Sequence, residues 1–158
     1  MRGMPFRTKI PPLLFALLLF ILLGGSLCAQ ETLDLPALIG LTLEEVHQRL
    51  GAPAEVYALR GAEPEQDDVV FYYSSHLYLF WFENRVWQVR VDRRFSGRVF
   101  SLALGTSRQQ VIGIMGRPIL EFPDSLVFHI EDRGYPVQAR LYFDEDGLAD
   151  VYCFRGDL

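Results

Sequence analysis

The side chains with chemical potential are three histidines, an acidic run, a few serines and the thiol Cys153. His47 follows Glu44 and Glu45 in a stretch that reads as helix, which invites a metal or general-base role. A helical metal pair needs a second ligand one turn on, and position 51 is glycine. His76 and His129 fall in strand-like stretches with no cysteine or carboxylate pattern beside them, so all three histidines are expected to be structural. Asp144, Glu145 and Asp146 before Gly147 resemble part of a calcium loop. That loop should end in a glutamate, whereas here the chain runs straight into a strand pattern, so an Asp-Gly hairpin turn is expected. Ser74, Ser75, Ser101, Ser107 and Ser125 all lie outside a Gly-x-Ser-x-Gly elbow. Cys153 stands in an apolar strand stretch, where a buried inert thiol is the default. No glycine-rich phosphate loop occurs. No catalytic residue, metal ligand or cofactor is assigned, and a binding protein rather than an enzyme is expected.

The elements that would carry such residues begin after an unusual N-terminus. Arg2, Arg7 and Lys9 precede an apolar run over residues 13–23 and the small residues Gly24, Gly25 and Ser26. This is the order of a secretory signal, with cleavage expected after Ala29. Two alternatives stay open: a membrane anchor through residues 13–29, and lipidation at Cys28, where Leu27 occupies the place of the usual small residue. The chain from Gln30 onward has 12 arginines, no lysine and 20 acidic residues, a net charge of −8. Such a surface repels nucleic acid. Once the signal is removed Cys153 is the sole thiol, so stability has to come from packing rather than a disulfide.

Comparing the chain with itself at an offset of 65 residues aligns Gly40, Val46, Leu50, Gly51 and Pro53 with Gly105, Val111, Met115, Gly116 and Pro118. Thr42 and Ser107 can accept from orphan N–H groups of a first helical turn, and Glu45 and Gln110 complete the capping boxes. Leu43, Val46 and Leu50 make one apolar stripe, and Val111, Ile114 and Met115 another. The glycines suit left-handed C-terminal residues, and the prolines stop each helix. Strand patterns follow at 55–59, 69–73, 76–82 and 86–91, then at 119–122, 126–130, 137–143 and 148–154.

These patterns predict an α+β protein of two repeated units, each a short helix or helix pair packed on a three- to four-stranded antiparallel sheet. The expected divisions are a signal segment (1–29), a first repeat (30–92), a linker (93–103) and a second repeat (104–158). A helix closing on Leu-Gly-x-Pro, with Gly and Val upstream and a meander behind it, resembles the SmpA/OmlA (BamE)-like domain. The tandem arrangement is similar to that of beta-lactamase inhibitor proteins, whose two similar units join into one curved sheet. The resemblance implies an exported or envelope protein that binds other proteins.

Strand alternation divides the side chains between faces. An even turn at Glu83-Asn84 puts Tyr78, Phe80 and Phe82 with Trp87, Val89 and Val91 toward the helix. Leu77, Leu79, Trp81, Val86, Gln88 and Arg90 are then expected on the open side. In the second half Val137, Ala139, Leu141, Phe143, Ala149, Val151 and Cys153 should face the helix, leaving Arg140, Tyr142, Asp150, Tyr152 and Phe154 open. Leu79, Trp81, Arg90, Arg140, Tyr142 and Tyr152 are therefore the expected partner-binding residues, because Trp, Tyr and Arg dominate interface hot spots. The expected partner is another envelope or secreted protein, with membrane contact only through the N-terminal segment and a periplasmic or envelope location. Two other functions stay open: a membrane-anchored envelope scaffold, and a carrier whose apolar ligand is held by Tyr78, Phe80 and Trp87.

Overall fold

In the computed structural model, which describes residues 32–61 and 68–158, Thr42 and Ser107 open two helices of equal length. They are α1 (Leu43–Leu50) and α2 (Arg108–Met115). Each begins with a complete capping box: Thr42 Oγ1 accepts from the Glu45 N–H at 3.4 Å, and Ser107 Oγ from the Gln110 N–H at 3.4 Å. In return, Glu45 and Gln110 accept from the backbone of the cap residues. Gly51 and Gly116 follow with φ of 75° and 83°, but with ψ of −160° and −152°. This is the extended positive-φ region that essentially only glycine occupies, rather than the left-handed helical cap expected from the sequence. The expected signal segment, and the question of its cleavage, retention or lipidation, lie outside the described residues.

The expectation of two repeated helix-on-sheet units is wrong. The strands are β1 (Glu55–Leu59), β2 (Asp68–Tyr73), β3 (Leu77–Phe82), β4 (Arg85–Val91), β5 (Arg98–Val99), β6 (Leu102–Ala103), β7 (Leu120–Glu121), β8 (Ser125–Asp132), β9 (Pro136–Asp144) and β10 (Gly147–Arg155). Eight of them form one antiparallel sheet in the order β1-β2-β3-β4-β10-β9-β8-β7, and β5 and β6 form a separate two-stranded ribbon. Val151 and Cys153 of β10 lie opposite Val91 and Val89 of β4, so the two halves share a continuous ladder. The reason is edge chemistry. Two four-stranded sheets would leave β4 and β10, both lined by fully buried valines, as unpaired apolar edges, and pairing them removes both. The merged sheet also gives one core, where two units of about 60 residues would each be marginal. The segment expected as a linker holds the short β5–β6 ribbon, whose Val99 and Leu102 join that core.

Both helices pack on one side of the sheet. Val46 and Val111 are buried there against Leu77, Leu79, Val89, Leu141 and Val151. The helical stripes are narrower than expected, since Leu43 and Ile114 remain more than half exposed. The hairpin between β9 and β10 turns through Glu145 and Asp146, and Gly147 has a φ of 105°. A side chain there would meet the Gly105 carbonyl oxygen at 2.5 Å and the Thr106 carbonyl oxygen at 3.0 Å. Gly147→Ala should accordingly cost about 1 to 2 kcal/mol in urea unfolding, because rigid backbone on both sides has to give way.

Candidate functional site

Which side chains occupy the open face depends on bulges. Between β3 and β4, Phe82 lies opposite Arg85 and Trp81 opposite Val86, but Phe80 then lies opposite Gln88. One extra residue on β4 moves every later partner by one, which turns β3 over relative to the even-turn expectation. Leu77, Leu79 and Trp81 therefore face the helices, while Tyr78, Phe80, Gln88 and Arg90 line the open face. Leu79 is fully buried and part of the core. Trp81 is half-buried against Phe71, with ring centroids 4.9 Å apart, and its Nε1 finds no acceptor among the described residues. Val86, expected on the open side, is fully buried in the core too. Leu79 and Trp81 thus lie on the opposite side of the sheet from the other four expected partner-binding residues.

Those four are brought together. Arg90, Arg140, Tyr142 and Tyr152 are all half-buried on the open face. In the second half a bulge between Leu148 and Asp150 leaves Leu148, not Ala149, in the core, and the rest of the strand keeps its expected side. One rung crosses six strands: Val127, Arg140, Tyr152, Arg90, Tyr78 and Tyr72 are successive cross-strand partners. The next rung is His129, Gln138, Phe154, Gln88, Phe80 and Val70.

Rings and guanidinium groups alternate along the first rung. The Arg90 guanidinium lies 5.0 Å from the Tyr78 ring centre and 5.4 Å from that of Tyr152, within cation–π range. Its Nε donates to Asp150 Oδ1 at 2.7 Å. Burial works against the Arg90 charge, but the Asp150 hydrogen bond and the neighbouring phenols outweigh it and raise the pKa above the usual arginine value. Tyr142 and Tyr152 meet edge to face at 5.6 Å. Arg140 lies 4.7 Å from the ring centres of both Phe122 and Tyr142 and donates through Nε and Nη2 to Ser125 Oγ at 3.1 Å. Ser125 is fully buried and donates onward to Asp124.

At the other end of the face, Tyr78, Phe80 and Val70 are buried with Tyr72 and Trp87 packed on them. These residues fill one another's space as a small second core, where the carrier reading expected them to line a ligand cavity. Tyr78 donates to Asp92 Oδ2 at 2.7 Å, and Arg94 donates to both Asp92 oxygens through its side chain and backbone N–H. Burial pushes the Tyr78 phenol up to about 12, and the Asp92 hydrogen bond adds to this. Asp92 is also raised by burial, but the donors from Arg94 and Tyr78 win and hold it well below the usual carboxylate range. Neither this cluster nor Ser125 beside Arg140 is foreshadowed by residue type or local spacing. Their partners are 14 and 15 residues apart and meet only through the register.

The remaining candidates for chemistry are dispersed. His47 is exposed on α1. His76 sits in a turn rather than a strand, with a φ of 63°, at the margin of the Asp92 cluster: its Nδ1 lies 3.3 Å from the Tyr72 hydroxyl and 3.8 Å from Asp92 Oδ2. His129 lies 3.8 Å from Asp132. Asp144 and Asp146 both pair with Arg93. Among the described residues no group of three or more His, Cys, Asp or Glu side chains is placed to hold a metal. Cys153 is fully buried, and burial pushes its thiol up to about 12. At pH 8 it should resist Ellman's reagent in the native protein and react fully in urea, with the adduct mapped by mass spectrometry.

No family model matches the sequence, and no curated protein matches it. Among solved structures, the fold is similar to that of an extracellular protein containing an SCP domain from Bacillus anthracis str. Ames, with a TM-score of 0.50 at 15% identity. The similarity covers 85% of this chain and 49% of that one, so the chain spans about half the length of the protein it matches. Among the described residues no helix is long and apolar enough to cross a membrane. The likeness is one of fold.

Proposed function

We propose that the chain is an exported, non-enzymatic protein-binding module of the cell envelope that receives its partner on the open face of the sheet. The observation that carries this reading is the rung from Tyr72 to Arg140. It sets tyrosines and arginines, the residue types that anchor interfaces, in one row on the side the two helices leave uncovered. Their rotamers are held by ring contacts and hydrogen bonds before any partner arrives, which lowers the entropy cost of binding. Export is supported by the order of charged, apolar and small residues at the N-terminus. The extracellular origin of the fold's neighbour agrees with it. Periplasmic and envelope-associated placement both fit.

The test is capture from an envelope extract with wild type, Tyr152→Ala and a helix-side control, Leu43→Ala. Tyr152→Ala should lose the wild-type partners by tenfold or more while Leu43→Ala retains them, since a central hot spot is worth about 2 kcal/mol or more. Identical partner lists for all three would overturn the proposed face.

A further inference from the structure

The two arginines of the open face differ in one respect that bears on partner chemistry. Arg90 is neutralised within the chain by Asp150, 2.7 Å away. Arg140 has no carboxylate within ion-pair distance among the described residues. Its polar contacts are the two hydrogen bonds to Ser125 Oγ, and the negative charge of Asp124 reaches it only through that hydroxyl. The acids nearest the centre of the same face are already engaged: Asp150 with Arg90, Asp92 with Tyr78 and Arg94, Asp144 with Arg93, and Asp68 with the Trp87 indole N–H; Glu55 stands apart at the β1 edge, opposite Tyr72. The face therefore has a cation to offer and few free acceptors.

The guanidinium is also prepared for use. Ser125, fully buried, fixes its Nε and Nη2, while the rings of Phe122 and Tyr142 pack against the guanidinium, each centred 4.7 Å away. Nη1 has no hydrogen-bond partner among the described residues, so a fork edge remains for an incoming oxygen. Phe122 is more than a third exposed, which places an apolar rim beside that edge.

Granted that the open face is the binding surface, we infer that Arg140 receives an Asp or Glu side chain of a partner protein, seated between Phe122, Tyr142 and Tyr152. The surroundings are flat rings on a sheet, a shape that fits an acidic residue with an apolar neighbour on a protein surface. A rim of aromatic rings excludes water around such a pair and strengthens its charge-assisted hydrogen bonds.

The probe is a library of random 12-residue peptides displayed on phage, selected against the whole protein. Peptides selected on wild type should share an Asp or Glu position, bind Arg140→Gln at least tenfold more weakly, and bind Tyr152→Ala weakly as well. Selection on Arg140→Glu should replace the acid with Lys or Arg. Urea midpoints confirm that each variant is folded. If Arg140→Gln is not, Arg140→Lys replaces it, keeping the charge while losing the planar fork, and weaker binding is again expected. Peptides that lose affinity for Tyr152→Ala, yet carry no acidic preference and ignore the change at position 140, would overturn the carboxylate assignment and leave the face standing. Peptides indifferent to Tyr152→Ala would overturn the face itself, and this inference with it.

Discussion

Leu79→Ala should lower the unfolding free energy by roughly 3 to 4 kcal/mol, whereas Phe82→Ala, three residues along the same strand, should cost less than about 1 kcal/mol. Leu79 is fully buried under the helices, opposite Val89 on one neighbour and Phe71 on the other. Truncating it removes its apolar contacts and leaves a void that the surrounding strands cannot close. Phe82 is 45% exposed at the end of β3. The even-turn register read from the sequence predicts the reverse order, with Phe82 on the helix side and Leu79 in the open. A pair of urea melts therefore decides where the bulge lies. A loss of this size is a large fraction of the 5 to 15 kcal/mol typical of a domain, so expression at low temperature is advisable.

Asp92→Ala should be the second large loss, about 3 kcal/mol at neutral pH. It strips the acceptor from the buried Tyr78 hydroxyl and from three Arg94 donors at once. The lower end of the usual range applies because Arg94 itself remains well solvated. The pH dependence follows from the sign of the shift. The folded pKa lies below the ordinary aspartate value of 3.8, so the charged form is favoured by folding. Its contribution is fully present above about pH 5 and is lost as pH falls below 3.8 toward the folded value. The stability gap between wild type and Asp92→Ala should narrow as pH falls below 4. Tyr78 behaves oppositely: raised to about 12 from 10, it contributes below pH 10 and loses that contribution as pH climbs through 12. A gap that stays constant down to pH 3 would contradict the charged cluster.

Local structure was largely legible in the sequence because local rules govern it. The capping residues Thr42 and Ser107 and the stop at Gly51 and Gly116 appear where the residue types demand them. Strand β1 has the expected bounds, and most of the others differ from expectation only at their ends. What failed was non-local. Nothing in the residues of β4 or β10 states that each is the other's neighbour, and that single pairing merges the two expected repeats into one sheet. The bulge at Trp87 was equally hidden, because an even hairpin turn gives no hint of an extra residue at the third position of β4. Leu79 and Trp81 were misplaced for that reason alone. The four other face residues kept their side because Arg90 lies beyond the bulge and β9 has none before Arg140 and Tyr142. Asp92 could not be found from its own neighbourhood, since its charge is stabilised by a tyrosine from β3, on the far side of a hairpin, and an arginine in the following turn.

The central claim is that the open face, and not the helical side, meets the partner. A photo-crosslinking amino acid placed at position 142 on the open face, and separately at position 114 on α2, tests it in cells that make the protein. Irradiation should give a discrete higher-mass adduct from position 142 and none from position 114. Adducts from position 114 with none from position 142 would contradict the account.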